Sequence, residues 1–187
     1  MQQQLRQHIE EIVSLTDEEF EQIFAYFSSY QLKKHQFLVQ EGQDVHHEYF
    51  VVNGLLKSVF TNEEGKEHIV QFAMENWWIT DYQAYFKRGK ATLNIDCIEP
   101  VQLLGLSHEN KQKLCASSHK MEHFFMVKVT SGFVALQQRV LTLLNSNAQA
   151  RYEQLINQYP LLAQRVPKAV MAAYLGVSRE TLSRLNS

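Results

Sequence analysis

The chain has 187 residues, 45% of them hydrophobic and 20% charged, with a formal net charge of −2. That is enough apolar material for one large domain or two smaller ones, and the near-neutral balance excludes a general polyanion binder. No run of about 18 apolar residues occurs, which excludes a membrane-spanning helix.

The opening MQQQLRQHIEE is helical in pattern and has no apolar signal region, so the expected location is the cytoplasm. Cys97 and Cys115 make neither a disulfide framework nor a metal cluster and fit buried thiols in a reducing compartment. Leu15-Thr16-Asp17-Glu18-Glu19-Phe20 then combines an N-cap (Thr16), a capping-box Glu19 and a Leu15–Phe20 staple, which predicts a helix from Asp17 to about Phe27. Short runs rich in Val, Ile, Phe and Tyr follow: Leu32–Val39, Glu48–Val52, Leu55–Thr61, His68–Met74, Ala91–Ile98 and Val101–Leu106. Turn signals at Glu41-Gly42, Asn53-Gly54, Asn62–Gly65 and Glu99-Pro100 separate them. Many short strands at this spacing predict an antiparallel barrel or sandwich up to about Ser118. Between the strands, Trp77, Trp78, Tyr82, Tyr85 and Phe86 supply an aromatic wall, either core packing or the lining of a small-ligand pocket.

A long helix is predicted from His119 to Asn145. Met126, Val129, Phe133, Leu136, Val140 and Leu143 are spaced 3, 4, 3, 4 and 3 along it, the pattern of a two-stranded coiled-coil seam, although a buried core helix would show a similar stripe. Phe125, Val134, Leu141 and Leu144 lie beside the seam and are expected to pack back on the barrel. His119 and His123 share a face at i, i+4, but no third ligand lies near them in sequence, so no metal site is expected.

The remainder is helical: Ala150–Tyr159, then Pro160 as a stop, then Pro167–Ser187. In that last stretch a short helix, Lys168 to Tyr174, runs into Leu175-Gly176-Val177, and a second helix opens at the N-cap Ser178. Pro167 suits a first helical turn, Ala172 allows close approach, and Gly176 supplies the positive φ a tight turn needs. Val170, Leu175, Val177 and Leu182 are expected beneath the pair. This is the layout of a helix-turn-helix; the alternative is a helical hairpin capping some other core. As a DNA reader, the second helix would present Ser178, Arg179, Glu180, Thr181, Ser183 and Arg184. Arginine binds guanine bidentately, glutamate accepts from the cytosine amino group, and hydroxyls contact phosphate. Five basic residues face two acidic ones from Arg151 onward, so this tail is at +3 while the body before it is at −5.

Barrel, long helix and helix-turn-helix together resemble the CRP/FNR family of bacterial transcription regulators. Gly176-Val177-Ser178-Arg179-Glu180-Thr181-Leu182-Ser183-Arg184 is close to the family's G-x-S-R-E-T-V-x-R signature. Glu41-Gly42 and Phe50-Val51-Val52-Asn53-Gly54 are similar to its E-G and Y-x-I-x-x-G turns, and Ala148–Leu155 to the helix that leads into its DNA-binding part. The resemblance implies an α+β fold: a jelly-roll (β-roll) sensor over residues 1–118, a dimerisation helix over 119–145 and a helix-turn-helix over 146–187. It also implies a homodimer on near-palindromic DNA, RNA polymerase as a partner and a small-molecule effector. The residues show no Gly-rich phosphate loop, nucleophile elbow or paired-carboxylate motif, so no enzymatic activity is expected, and without a long apolar run no membrane partner is expected.

Two departures qualify it. Cyclic-nucleotide-binding members carry F-G-E-[LIV] and then R-[ST]-A, in which the arginine neutralises the phosphate and the glutamate holds the ribose. The matching stretch here is Trp78-Ile79-Thr80-Asp81-Tyr82 and then Ala91-Thr92-Leu93. The effector pocket is therefore expected at Thr80, Asp81, Tyr82, Ala91 and Thr92, without a cyclic nucleotide, because the charge-assisted phosphate contact is lost. The iron–sulfur type needs a cysteine cluster that two distant cysteines cannot supply. The second departure is an ending at Leu185-Asn186-Ser187, which reads as a truncated or weakened DNA reader. The alternative function is a β-roll ligand- or protein-interaction module with a vestigial helix-turn-helix.

Overall fold

The computed structural model describes residues 1–185; Asn186 and Ser187, on which the reading of an early stop rests, lie outside them. The elements run α1 (Gln2–Glu10), α2 (Asp17–Phe24), β1 (Phe27–Leu32), β2 (Phe37–Val39), β3 (His47–Asn53), β4 (Leu56–Thr61), β5 (Glu67–Ala73), β6 (Trp78–Ile79) and α3 (Tyr82–Lys87). They continue with β7 (Asn94–Cys97), β8 (Val101–Ser107), α4 (His108–Ser117), α5 (His119–Asn145), α6 (Ala148–Gln158), α7 (Pro160–Arg165), α8 (Lys168–Leu175) and α9 (Arg179–Leu185). The strands form two four-stranded sheets, in the orders β1-β8-β3-β6 and β2-β7-β4-β5. This is the α+β jelly-roll class expected from the sequence.

Two compact units are present: residues 1–58 with 72–129, and residues 59–71 with the chain from Thr130. The first unit is organised by β3 and β8, which pair antiparallel from His47↔Ser107 through Val51↔Leu103. Successive side chains of a strand point to opposite faces, so a strand buried on both faces reads as a continuous apolar run. Tyr49, Val51, Val101 and Leu103 face one core, with Ile79, Tyr85 and Ile95. Phe50, Val52, Leu104 and Leu106 face the other, with Leu5 and Ile9 of α1, Phe20 and Ile23 of α2, Leu114 of α4 and Met121 and Phe124 of α5. Gly54 closes β3 at a φ of +99°, and a Cβ there would stand 2.3 Å from the Pro100 carbonyl oxygen. Only glycine fits that turn.

The capping box of α2 is formed as predicted: Glu19 N–H donates to Thr16 Oγ1 and Thr16 N–H to Glu19 Oε2. The helix ends three residues early, at Phe24, because Phe27 opens β1 opposite Leu106. Pro160 stops α6 but also occupies the first turn of α7, where its missing N–H costs nothing.

Among the polar side chains buried at the second core is His8. His8 is 5% exposed, and its Nε2 accepts from Trp78 Nε1–H at 3.3 Å. That contact places the ring's proton on Nδ1, which faces Glu11 at 3.5 Å. Burial, with Lys128 nearby, lowers the His8 pKa to about 4. Between pH 6.5 and about 4 the unfolded chain therefore binds a proton that the folded chain does not, and stability falls as pH drops through that window. Denaturant melts should show the wild-type protein losing roughly 2–3 kcal/mol more than His8→Gln between about pH 7 and about pH 4; equal losses would remove His8 as the cause.

Candidate functional site

Two places carry the candidate residues, one in each unit. In the second unit, α8 ends on Gly176 in the left-handed conformation, φ 69°. The chain turns there, and Thr181 N–H donates to Ser178 Oγ at 3.2 Å, the predicted N-cap. Leu182 is fully buried, and Leu155, Leu162, Val166, Met171, Ala172 and Leu175 of this unit are buried too. Val170 and Val177, expected in that core, are only half-buried, and Leu162, Val166 and Met171 carry more of it. With Leu182 pointing in, Ser178, Arg179, Glu180, Ser183 and Arg184 are exposed and Thr181 is half-buried. The Thr181 hydroxyl, expected to meet phosphate, is within 3.1 Å of Ser178 Oγ, so both hydroxyls help to open the helix. Hydrogen bonds to its own backbone amide and to Ser178 hold the Glu180 carboxyl below its usual range, which keeps it an ionised acceptor at neutral pH.

Two arginines hold this unit together: Arg151, which the sequence placed in the helix resembling the family's lead-in and counted with the basic tail, and Arg139, which sequence reasoning did not single out. Arg151 donates from Nε to the Leu175 carbonyl at 3.0 Å and from Nη1 to the Ser146 carbonyl at 2.6 Å. The last carbonyls of a helix have no intrahelical partner, so α8 is capped from α6. Arg139, on α5, donates from Nη2 to the Ile69 carbonyl at 2.8 Å and to the Tyr174 carbonyl at 3.2 Å, with its guanidinium 3.6 Å from the Tyr174 ring centroid. That bond to Ile69 is one reason the tip of the β4–β5 hairpin groups with the C-terminal helices.

The predicted dimer seam lies on α5. Met126, Val129, Phe133, Leu136, Val140 and Leu143 are between 43% and 66% exposed. Phe125 is buried, as expected of the positions beside the seam, but Val134, Leu141 and Leu144 are exposed, so the bare apolar face is wider than the seam alone.

The expected effector pocket lies in the first unit, and its residues are turned inward. Asp81 is 1% exposed. Its Oδ1 accepts from Ala84 N–H and caps α3; its Oδ2 accepts from Thr92 N–H at 2.7 Å, Thr92 Oγ1–H at 3.0 Å and Leu93 N–H at 3.2 Å. Thr80 is buried and donates to the His47 carbonyl. Ala91 is buried and exchanges backbone bonds with Gly42 and Gln43. Tyr82 is exposed and stacks on Phe86, centroids 6.4 Å apart. The aromatic wall divides: Trp78 packs on Phe27, Phe50, Phe124 and Phe125 in the second core, and Tyr85 is buried in the first. A cyclic nucleotide needs a cation for its phosphate and a free carboxylate for its ribose. Ala91 supplies no cation and Asp81 has no oxygen left to offer, so these residues do not fit that ligand.

His119 is exposed and bonds Glu122 at 3.1 Å. Among the described residues, no helix is long and apolar enough to cross a membrane.

Residues 30–118 match the family described as "Cyclic nucleotide-binding domain". No curated protein matches the chain. Among solved structures, FixK2 from Bradyrhizobium japonicum superposes with a TM-score of 0.74 at 14% identity, over 86% of this chain and 82% of that one. A CooA mutant from Carboxydothermus hydrogenoformans gives 0.73 at 18% identity, over 92% and 84%. The c-di-GMP-responsive global regulator CLP from Xanthomonas campestris gives 0.72 at 13% identity, over 88% and 87%. Residues 30–118 are thus similar to the cyclic nucleotide-binding domain family, and the chain has the fold of the CRP/FNR regulators.

Asp81 ties the start of α3 to Thr92 and Leu93. Asp81→Asn places amide N–H groups against backbone donors and should cost on the order of 2–3 kcal/mol. Hydrogen exchange at the Thr92 and Leu93 amides should quicken in that variant; unchanged protection would show that the carboxylate does not hold the loop.

Proposed function

We propose that this chain, with a domain similar to the cyclic nucleotide-binding family on a CRP/FNR-type frame, is a dimeric, sequence-specific DNA-binding transcription regulator that does not respond to cyclic AMP. The observation that carries the reading is the outer face of α9, where Arg179, Glu180, Ser183 and Arg184 are exposed around the buried Leu182. In a major groove Arg179 is placed to read guanine and Glu180 the cytosine amino group, while Arg184 and Ser183 position the helix on phosphate.

The apolar face of α5 supports the dimer. Side chains such as Phe133 (66% exposed) and Leu136 (52% exposed), at heptad spacing and in contact with water, form a patch of the kind that marks an interface. A two-fold dimer puts its recognition helices about 34 Å apart, one DNA turn, and so calls for a near-palindromic site. The residues at Asp81 and Ala91 support an effector other than a cyclic nucleotide. Contact with RNA polymerase is part of the same proposal.

On a duplex selected from a random pool, Arg179→Ala should weaken binding by about 1–3 kcal/mol and relax the preferred base at one position in each half-site. With Arg179 on a base, Lys168 and Arg184 are the exposed cations of the last two helices left for phosphate, so a dimer reaches about four phosphates and log K should fall against log salt with a slope of about −4. Failure of a folded dimer to bind any duplex at low salt leaves the protein-interaction reading. Phe133→Glu should turn a dimer into a monomer in sedimentation velocity; a dimer unaffected by it would place the seam elsewhere. Calorimetry with cyclic AMP should give no saturable heat at micromolar concentrations, and a saturating isotherm would overturn the reading of Asp81 and Ala91.

A further inference from the structure

On the side of α3 that carries Tyr85 and Arg88, the first unit holds a cavity of about 490 Å3 between the β2–β3 connection, the end of α3 and the start of α4; its lining includes Asp44, His46, Tyr85, Arg88, His108 and Glu109. The volume falls in the range of small-molecule sites.

Its charges do not cancel. Asp44 is paired with Lys90 at 2.8 Å and Glu109 with Lys113 at 2.6 Å. Both acids are thereby answered by lysines, and hydrogen bonds from those lysines hold both carboxyls below their usual range. That leaves the Arg88 guanidinium, with His46 and His108, as the remaining charge-bearing groups of the lining. Arg88 Nη2 lies 3.4 Å from His108 Nδ1. A guanidinium only donates, so Nδ1 accepts and the ring carries its proton on Nε2, a further donor. The His108 ring is held between the edges of Tyr85 and Phe86, with centroids 5.3 Å and 6.0 Å away. Burial and the nearby charges of Arg88 and Lys111 lower the His108 pKa. An anion between Arg88 and His108 would oppose those charges.

The second observation is Tyr85. The residue is fully buried, forms part of the cavity wall, and its hydroxyl has no hydrogen-bond partner among the described residues. Burial and the neighbouring Glu48 push its pKa up, so the phenol stays protonated. A buried polar group without a partner is uncommon and calls for an explanation.

We propose that this cavity binds a small molecule bearing an oxyanion, carboxylate or phosphate, through Arg88 and His108. As an effector site it rests on the regulator reading above, but binding itself does not. Arg88 stands in the left-handed conformation at φ 52°, which asparagine tolerates well, so Arg88→Asn removes the charge without a new backbone strain. The test is an NMR titration of the 15N-labelled full chain, without DNA, with sodium phosphate and separately with sodium benzoate, at ionic strength held constant with sodium chloride. The expected result is a saturable shift of the His108 and Gly89 signals with at least one probe. Arg88→Asn should raise the Kd about tenfold or more, the loss of a charge-assisted hydrogen bond, whereas the distant exposed control Lys34→Asn should change it less than about twofold. Saturation by phosphate alone assigns a phosphate-bearing ligand, and by benzoate alone a carboxylic acid. No saturable shift with either probe, equal weakening by both substitutions, or shifts confined to Asp81 and Thr92 would overturn the proposal. Because DNA is absent, failure here leaves the reading of α9 untouched, and failure of DNA binding leaves this one untouched.

Discussion

Burial of β3 and β8 on both faces is the constraint from which the first unit follows. A strand exposed on one side would need a single core. Phe50 and Val52 point away from Val51 and Tyr49, so a second apolar layer must cover them. α1, α2, α4 and the start of α5 supply it. Met121, Phe124 and Phe125 are that layer's share of α5, and they fix where the long helix begins and which way it is rotated. Past Phe125 the same helix still carries apolar residues, but they are exposed. One helix thus serves two purposes in series: its first two turns complete a core, and beyond them it carries an exposed apolar face alongside the Arg139 contacts to Ile69 and Tyr174.

The loop around Asp81 follows another logic. A carboxylate sealed at 1% exposure is stable only if its lone pairs are answered, and four donors answer them. A group so committed cannot also bind a ribose. The Asp81 carboxylate is internal scaffolding: it holds α3 and the Thr92 loop together. The consequence reaches the other side of α3, because that anchored helix presents Tyr85 and Arg88 to the cavity near His108.

Much of this was legible in the residues. The Thr16–Glu19 box, the His119–Asn145 helix and the Gly176 turn each rest on local rules, caps, heptads and a positive φ, and local rules survive folding. The two-faced strands could be seen as Phe50-Val51-Val52 and Leu103-Leu104. What was not legible depends on partners distant in sequence. β1 is a strand because the Val101–Leu106 run of β8 awaits it, through Phe27↔Leu106 and Leu32↔Val101. His8, in a polar-looking N-terminus, is core because Trp78 and Phe50 surround it. The cavity joins Asp44, Arg88 and His108, which no local pattern connects.

Charge shows the same limit with more consequence for function. Counting residues gives the tail from Arg151 a balance of +3, and that number suggests cations free for phosphate. Arg151 is not free, because its guanidinium is spent on the Leu175 and Ser146 carbonyls. Arg139 of α5, outside that count, is likewise spent on carbonyls, and desolvation lowers its pKa. Both are structural cations: they answer backbone oxygens that would otherwise be buried without a donor. The field that faces solvent on the last two helices comes instead from Lys168, Arg179 and Arg184, opposed by Glu180. So small an exposed charge cannot bind DNA tightly through phosphate alone. On the proposed reading, useful affinity would come from base contacts by α9 and from doubling the interface across a two-fold axis, which would tie the apolar face of α5 to the polar face of α9.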